Sequence, residues 1–556
     1  MAKISMQVLG VWLAASLTYA ASAVPCRAAT PSAGATIVLG PFTGHYATLH
    51  PDNIKPKLIA YYGTDLGFTY EHQGILQFLF GDTAADEKGV AIQASTGSAY
   101  DDGFGTIDLA QWPDPARISP ANIPLIKLGQ NAGTTEMSAI NPGQPMESFK
   151  TPLGGFSNGS REFGLFYSSK PQGCRVDADC ASGLTCDTGL GFQGTRYDRP
   201  EGITFACTSP ASGCTANTMF DANGAPIAGS GFCSDKSSSV WANTNVGRVS
   251  AVAVKQLVGI RSTTDPRSYT NIQTWLTNKF ANVTVRTVSD FVPERGSGRA
   301  HQDYRSAKVA RENRRVFLWG RPGFIGVAAH QRTLGLYFAY VDMPGGAEFS
   351  WHPRFYRGMS AKGVPQFSAS EKDAVPVDLD ATRAGVQPAE LHDIVDQESV
   401  VWIEPLKKWL MFYGGGMGKL PAPPLFPNCG LLELFTGAEC KEVVTGNGAI
   451  RMRTANEPWG PWSPPQDVIV GGDPDAQPLR DLYAVGGVLH HPACVQAGCA
   501  PPTRSPQLQA GEYGFLYGAN IIEQWIKPVA PAVDVIWNAS TWDPYRVILL
   551  RTRIKP

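Results

Sequence analysis

The chain has 556 residues, a formal net charge of −1 and a charged-residue share of 17%. With no basic stripe and no basic amphipathic helix, this balance excludes a nucleic-acid surface and a membrane-surface binder as partners. Glycine (59), proline (43) and a 10% aromatic share suit many short strands joined by turns.

At the N-terminus, Met1-Ala2-Lys3 gives a short positive start. An apolar run from Met6 to Ala21 follows, then small residues at Ala21-Ser22-Ala23 and Arg27-Ala28-Ala29. That order is a secretory signal peptide, expected over 1–28. The run is shorter than the roughly 20 residues a membrane span needs. Residues 29–556 are expected to form one domain, secreted or periplasmic. Cysteine usage agrees with export. Of 11 cysteines, cleavage after Ala28 removes Cys26 and leaves an even number, as disulfides in an oxidising compartment require.

Strands are predicted at Leu58–Tyr62 (bounded by a turn at Gly63), Ile75–Phe80 and Phe163–Tyr167. Further strands follow at Val316–Gly320, Leu334–Val341, Ser399–Ile403, Trp409–Tyr413, Tyr513–Gly518 and Tyr545–Arg551. Each is short, rich in β-branched and aromatic residues, and closed by Gly, Pro or Asp. Tyr269–Phe280 reads as an amphipathic helix, and Glu371–Leu391 fits neither period cleanly. Between Cys174 and Cys233, six cysteines staple a loop-rich insert without a core of its own, and their spacing leaves the pairing open. Asp177 and Asp179 lie in it, but the glycine and terminal glutamate of an EF-hand loop are missing, so no metal is expected there. The basic stretch Arg295–Arg315, interrupted by Asp303 and Glu312, reads as a solvated loop and strand edge.

Strand pairs recur as units: Val316–Gly320 with Leu334–Val341, then Ser399–Ile403 with Trp409–Tyr413. Such units suit the blades of a β-propeller, each a small antiparallel sheet around one axis. A pair of β-sandwiches is the alternative. No fixed-period sequence motif accompanies the units.

Two carboxylates stand out, Asp65 in Gly63-Thr64-Asp65-Leu66-Gly67 and Asp82 in Phe80-Gly81-Asp82-Thr83. An extended strand rises about 3.3 Å per residue, so one hairpin can return Asp82 to the rim that holds Asp65. Glycosidic cleavage needs such a pair, one group protonating the leaving oxygen and the other attacking or activating water. A gap of about 5 Å suits retention and about 6.5–9.5 Å suits inversion. Capping two turns is the competing role of the same aspartates. Glu398 is a candidate third carboxylate, or a salt-bridged strand-end residue. His301, in His301-Gln302-Asp303, and Trp542 are candidate substrate contacts, whereas His490-His491 matches no zinc spacing. Trp459 and Trp462 read as blade packing. No Gly-x-Ser-x-Gly elbow stands out, and Gly414–Gly418 lacks the lysine and serine of a phosphate loop. Neither cofactor nor metal is expected. Asn158, Asn282 and Asn538 match glycosylation acceptors.

Thr64-Asp65-Leu66-Gly67 followed by Phe80-Gly81-Asp82-Thr83 resembles the first blade of a propeller glycoside hydrolase family that includes bacterial endo-D-arabinanases. Val316-Phe-Leu-Trp-Gly-Arg321, Gln397-Glu398-Ser399-Val400, Arg453-Thr-Ala-Asn-Glu-Pro-Trp-Gly-Pro-Trp-Ser463, Tyr517-Gly518 and Ser540-Thr-Trp-Asp-Pro-Tyr545 extend the resemblance in order over 55–552. The cysteine-rich insert and the Glu371 region depart from it. The resemblance implies an all-β fold, a five-bladed β-propeller carrying a cysteine-rich loop insertion, with a central funnel. It also implies endo-hydrolysis of a polysaccharide such as mycobacterial D-arabinan through Asp65 and Asp82.

Overall fold

A computed structural model describes residues 30–43, 63–84, 102–128, 140–143, 150–171, short segments between 173 and 252, 254–288, 315–321, 327–328, 336–343, 349–379, 394–414, 450–469, 516–541 and 546–556. The expected leader, the Leu58–Tyr62 strand, His301, His490-His491, Trp542 and Gly415–Gly418 lie outside them.

The architecture is a five-bladed β-propeller. Blade 1 runs outward from Gly63–His72 through Ile75–Ala84 and Gly103–Asp108 to Lys127–Leu128. Blade 2 is Lys150–Ser157, Glu162–Pro171, Val254–Arg261 and Tyr269–Thr277. Blade 3 is Asn282–Val288, Arg315–Arg321, Tyr337–Asp342, Arg354–Met359 and Pro365–Ser368. Blade 4 has Ile394–Ile403, Lys408–Gly414, Ile450–Ala455 and Gln466–Ile469. Blade 5 has Leu516–Ile521, Ala532–Thr541 and Arg546–Lys555, and the N-terminal strand Ser32–Pro41 completes it from outside, Ser32 opposite Lys555 and Pro41 opposite Ile548. Pairing the two ends of the chain in one sheet closes the ring and leaves no free edge at its seam.

The innermost strands touch in a closed circle, blade 1 against 2, 2 against 3, 3 against 4, 4 against 5 and 5 against 1. Five apolar clusters fill the five gaps between blades. Phe68, Phe104, Phe166 and Leu257 join blades 1 and 2, and Leu153, Phe163, Val283 and Leu318 join 2 and 3. Phe317, Trp319, Trp409 and Met411 join 3 and 4, Leu410, Phe412, Val535 and Trp537 join 4 and 5, and Phe78, Phe80, Ile536 and Leu549 join 5 and 1. Both faces of each sheet are thus buried, which explains strands that read as near-continuous apolar runs. Trp459 and Trp462 are buried in the gap between blades 3 and 4, Trp459 stacking on Tyr356 at 5.9 Å. Among the described residues, no helix is long and apolar enough to cross a membrane.

Three expectations change. Tyr269–Thr277 is the outer strand of blade 2, not a helix, because its burial alternates along Tyr269–Thr274 with period two, against Val254–Arg261. Gly63 opens the innermost strand of blade 1 and makes no turn; the reversal comes at Gln73-Gly74 instead. Asn158, Asn282 and Asn538 are buried in blade structure, so they present no accessible glycan acceptor. Glu371–Asp373 is a short 3-10 turn, whose Glu371 carboxylate accepts from Thr277 Oγ1, Asn278 N and Lys279 N and fastens it to blade 2.

The cysteine-rich insert joins the second and third strands of blade 2, Glu162–Pro171 and Val254–Arg261. Its described part is one five-stranded sheet and two two-stranded ones, with Cys174–Cys186 and Cys180–Cys233 as staples. Asp177 Oδ1 accepts from Cys186 N at 2.8 Å, and Asp179 Oδ2 from Arg175 N and Val176 N, which holds the Asp179 carboxyl below its usual range. These carboxylates brace backbone.

Burial also shapes the tyrosines. It pushes the phenols of Tyr70, Tyr167 and Tyr269 up, and that of Tyr356 up to about 12. A folded value above the unfolded value of 10.0 means stability that is complete below about pH 10 and lost as pH climbs through about 12. An alkaline titration is therefore expected to show tyrosinate absorbance appearing together with loss of the near-ultraviolet circular dichroism signal. Smooth ionisation of every tyrosine in a still-folded protein would contradict it.

Candidate functional site at the propeller axis

The innermost strands begin at one rim of the ring. Asp65 is third in Gly63–His72, Thr151 second in Lys150–Ser157, and Tyr517 second in Leu516–Ile521. Strand Glu162–Pro171 of blade 2 ends at this same rim, with Lys150 opposite Ser168, so the cysteine-rich insert leaves blade 2 from the rim that holds Asp65.

Asp65 is buried, and Tyr517 Oη donates to its Oδ2 at 2.9 Å. Its cross-strand neighbour is Gly81. A methyl group on Gly81 would lie 2.8 Å from Asp65 Oδ1 and 2.7 Å from both Leu66 Cδ1 and Thr151 Oγ1, so only glycine leaves room for the carboxylate. The strand register slips between the pairs Gly63–Ala84 and Asp65–Gly81, setting Asp82 and Thr83 opposite the single residue Thr64. A bulge of this two-against-one kind re-aims side chains and recurs beside active sites. It brings the Asp82 backbone to the Asp65 rim, while the Asp82 side chain lies outside the described residues. Thr64 Oγ1 donates to Gly81 O at 3.0 Å and lies 2.9 Å from Thr83 Oγ1, which locks the bulge.

Blade 5 holds the chain just after Asp65. Leu66 takes the left-handed conformation with φ of 65°, followed by Gly67 at 76°. Three blade 5 side chains grip this kink: Ser540 Oγ accepts from Leu66 N at 2.7 Å, Asn520 Nδ2 donates to Leu66 O at 3.2 Å, and Asn538 Nδ2 donates to Gly67 O at 2.9 Å. Left-handed backbone in a β-rich strand costs about 1–3 kcal/mol and persists where the surroundings over-determine it. The geometry at Asp65 is therefore set by two blades and not by its own strand alone.

Glu398 lies on the innermost strand of blade 4 and pairs with Arg321 of blade 3, Oε2 to Nε at 3.2 Å, with side-chain exposures of 1% and 0%. Tyr167 of blade 2 stands near the same guanidinium. Beside Glu398, Ser399 Oγ accepts from Ile521 N and from Arg286 Nη2, each at 3.0 Å. Arg286 of blade 3 also donates from Nε to Val400 O and from Nη2 to Ile521 O, so one buried guanidinium ties the inner strands of blades 3, 4 and 5. Burial lowers its pKa, with Glu523 opposing that shift.

For metals, Cys174, Cys180 and Cys233 place their sulfurs within 4.8 Å of one another, but the two disulfides consume them. Of the residues singled out from sequence, Asp65 and the Asp82 backbone come together, and Glu398 sits on the same set of inner strands. Tyr517, Arg321 and Ser540 belonged to quoted motifs but carried no assigned role. A tyrosine or serine reveals its partner only after distant blades meet.

No family model matches the chain, and no curated protein matches it in sequence. Its structure is similar to that of a proposed hydrolase from Bacteroides ovatus, with 9% identity, a TM-score of 0.33, and coverage of 88% of this chain and 86% of the other. It is also similar to an α-L-arabinofuranosidase from Podospora anserina in complex with cellotriose, with 8% identity, a TM-score of 0.30, and coverage of 95% and 98%. A Trypanosoma rangeli sialidase in complex with sialic acid gives 8% identity and 0.29, over 94% of this chain and 60% of the other.

Proposed function

We propose that the protein is an exported glycoside hydrolase that cleaves a polysaccharide internally, with Asp65 as nucleophile and Asp82 as acid/base. The observation that carries this reading is the buried Asp65 carboxylate at the axial rim, fixed by Tyr517 and by a kink gripped from blade 5, with Asp82 one residue beyond its cross-strand glycine. A phenol donating to a carboxylate oxygen favours the ionised form, as a nucleophile needs. With Asp65 as nucleophile the reaction is a double displacement that retains configuration, which calls for a carboxyl gap of roughly 5 Å. Asp82 then protonates the leaving oxygen, and afterwards takes a proton from the water that releases the sugar from Asp65.

The substrate is D-arabinan or a related arabinofuranose polymer, on the strength of the ordered sequence resemblance. Glu398 contributes through its ion pair with Arg321, and His301 and Trp542 supply substrate contacts. The described disulfides suit an oxidising compartment, as expected of a secreted or periplasmic enzyme.

The test incubates the purified protein with mycobacterial arabinogalactan and a panel of plant arabinans, following released oligosaccharides by chromatography and the first-formed anomer by nuclear magnetic resonance. Oligosaccharides from the D-arabinan with retained configuration support the reading. Binding without any product would make the protein a carbohydrate-binding propeller instead. A sharper prediction concerns Gly81→Ala. Its new methyl group meets Asp65 Oδ1, Leu66 Cδ1 and Thr151 Oγ1. We expect a stability loss of about 1–3 kcal/mol and a kcat about 10²-fold lower, because displacing a reacting group by about 1 Å has that effect. Unchanged kcat would show that Asp65 is not a reacting group.

A further inference from the structure

Four described non-glycine residues have left-handed backbone: Leu66, Gln73, Gln397 and Lys407. Gln73 belongs to the blade 1 hairpin turn and Lys407 caps a 3-10 turn, both ordinary places for that conformation. Leu66 and Gln397 instead lie inside innermost strands, each at a register slip, on blades 1 and 4. They converge on one point of blade 5. A methyl group on Gly518, itself at φ of 60°, would lie 3.0 Å from Gln397 Oε1, 3.3 Å from Ser540 Oγ and 3.6 Å from Leu66 Cδ2. Gly518 directly follows Tyr517, the residue that donates to Asp65. The Gln397 amide and the Asp65 carboxylate therefore flank the same dipeptide of blade 5.

Gln397 is 5% exposed, and among the described residues its Oε1 has no hydrogen-bond partner. A glutamine in left-handed backbone, holding a buried acceptor without a bond, gains nothing visible for the fold. Strain of this kind collects at ligand sites. Resting on the glycoside hydrolase reading above, we propose that Gln397 is a substrate-positioning residue whose amide takes a hydrogen bond from a hydroxyl of the sugar bound at Asp65. Gly518 lacks a side chain so that the amide can reach that sugar past Tyr517.

The test uses the purified full protein with mycobacterial arabinogalactan as the probe. It compares Gln397→Gly with Gln397→Asn, reading Tm, KM, kcat and affinity electrophoresis in gels containing the polysaccharide. Glycine accepts the left-handed backbone without strain, and asparagine tolerates it while keeping an amide. Gln397→Gly is expected to melt at or above the wild-type temperature yet show KM raised about 10-fold, the size of one lost hydrogen bond. Gln397→Asn should recover part of that loss. Unchanged KM in Gln397→Gly, from a wild type that cleaves the polymer, would overturn this assignment and leave the hydrolase reading standing. A folded wild type that neither cleaves nor is retarded by the polysaccharide would overturn both.

Discussion

Asp65→Asn should fold like the wild type and lose about 10³-fold or more in kcat, with substrate binding retained. The exchange keeps the shape and an acceptor for the Tyr517 hydroxyl, so the packing between blades 1 and 5 has no reason to change. What disappears is the negative charge that attacks the anomeric carbon. Removing a buried functional charge often raises stability, so Tm should hold or rise slightly. Tyr517→Phe is the milder companion, removing one donor while leaving the ring in place. Thermal melts alongside oligosaccharide release would settle the point. A variant that turns over at a near-normal rate would remove Asp65 from the reaction and with it the paired-aspartate mechanism.

Arg321→Leu carries the largest expected cost in stability. Its guanidinium and the Glu398 carboxylate are both almost fully buried and meet at 3.2 Å. Deleting one member of such a pair leaves the other charge in a poorly solvated setting, which costs about 3–5 kcal/mol. The double variant Arg321→Leu with Glu398→Gln should recover much of that loss, since no unpaired charge then stays behind. Denaturant melts of the three variants give the coupling directly. A single variant within about 1 kcal/mol of wild type would mean that Glu398 is neutralised by other means. Because Glu398 neighbours Gln397 on the inner strand of blade 4, activity should fall along with stability.

By itself the sequence determined the class of architecture. Runs such as Val316–Gly320 and Trp409–Tyr413 are apolar on both faces because each blade is covered on both sides, and their turn-bounded lengths are those of blade strands. It also offered Asp65 and Asp82 as a candidate pair, since one hairpin can return Asp82 to the rim that holds Asp65, with turn capping as the competing role. It could not place Tyr269–Thr277, because a half-exposed edge strand spaces its polar residues in a way that also fits a helical face. It read a turn at Gly63, where a glycine simply begins an inner strand. Only the tertiary structure decided what holds the site. The Leu66 kink is stable because Ser540, Asn520 and Asn538 reach it from residues more than 450 positions away. Tyr517, Arg321 and Ile521, which meet Asp65, Glu398 and Arg286, likewise come from other blades. Hydrogen bonds and ion pairs act over a few ångströms of space and leave no periodicity along the chain. Ring closure, which brings the first strand beside the last, creates the neighbourhood in which these residues meet.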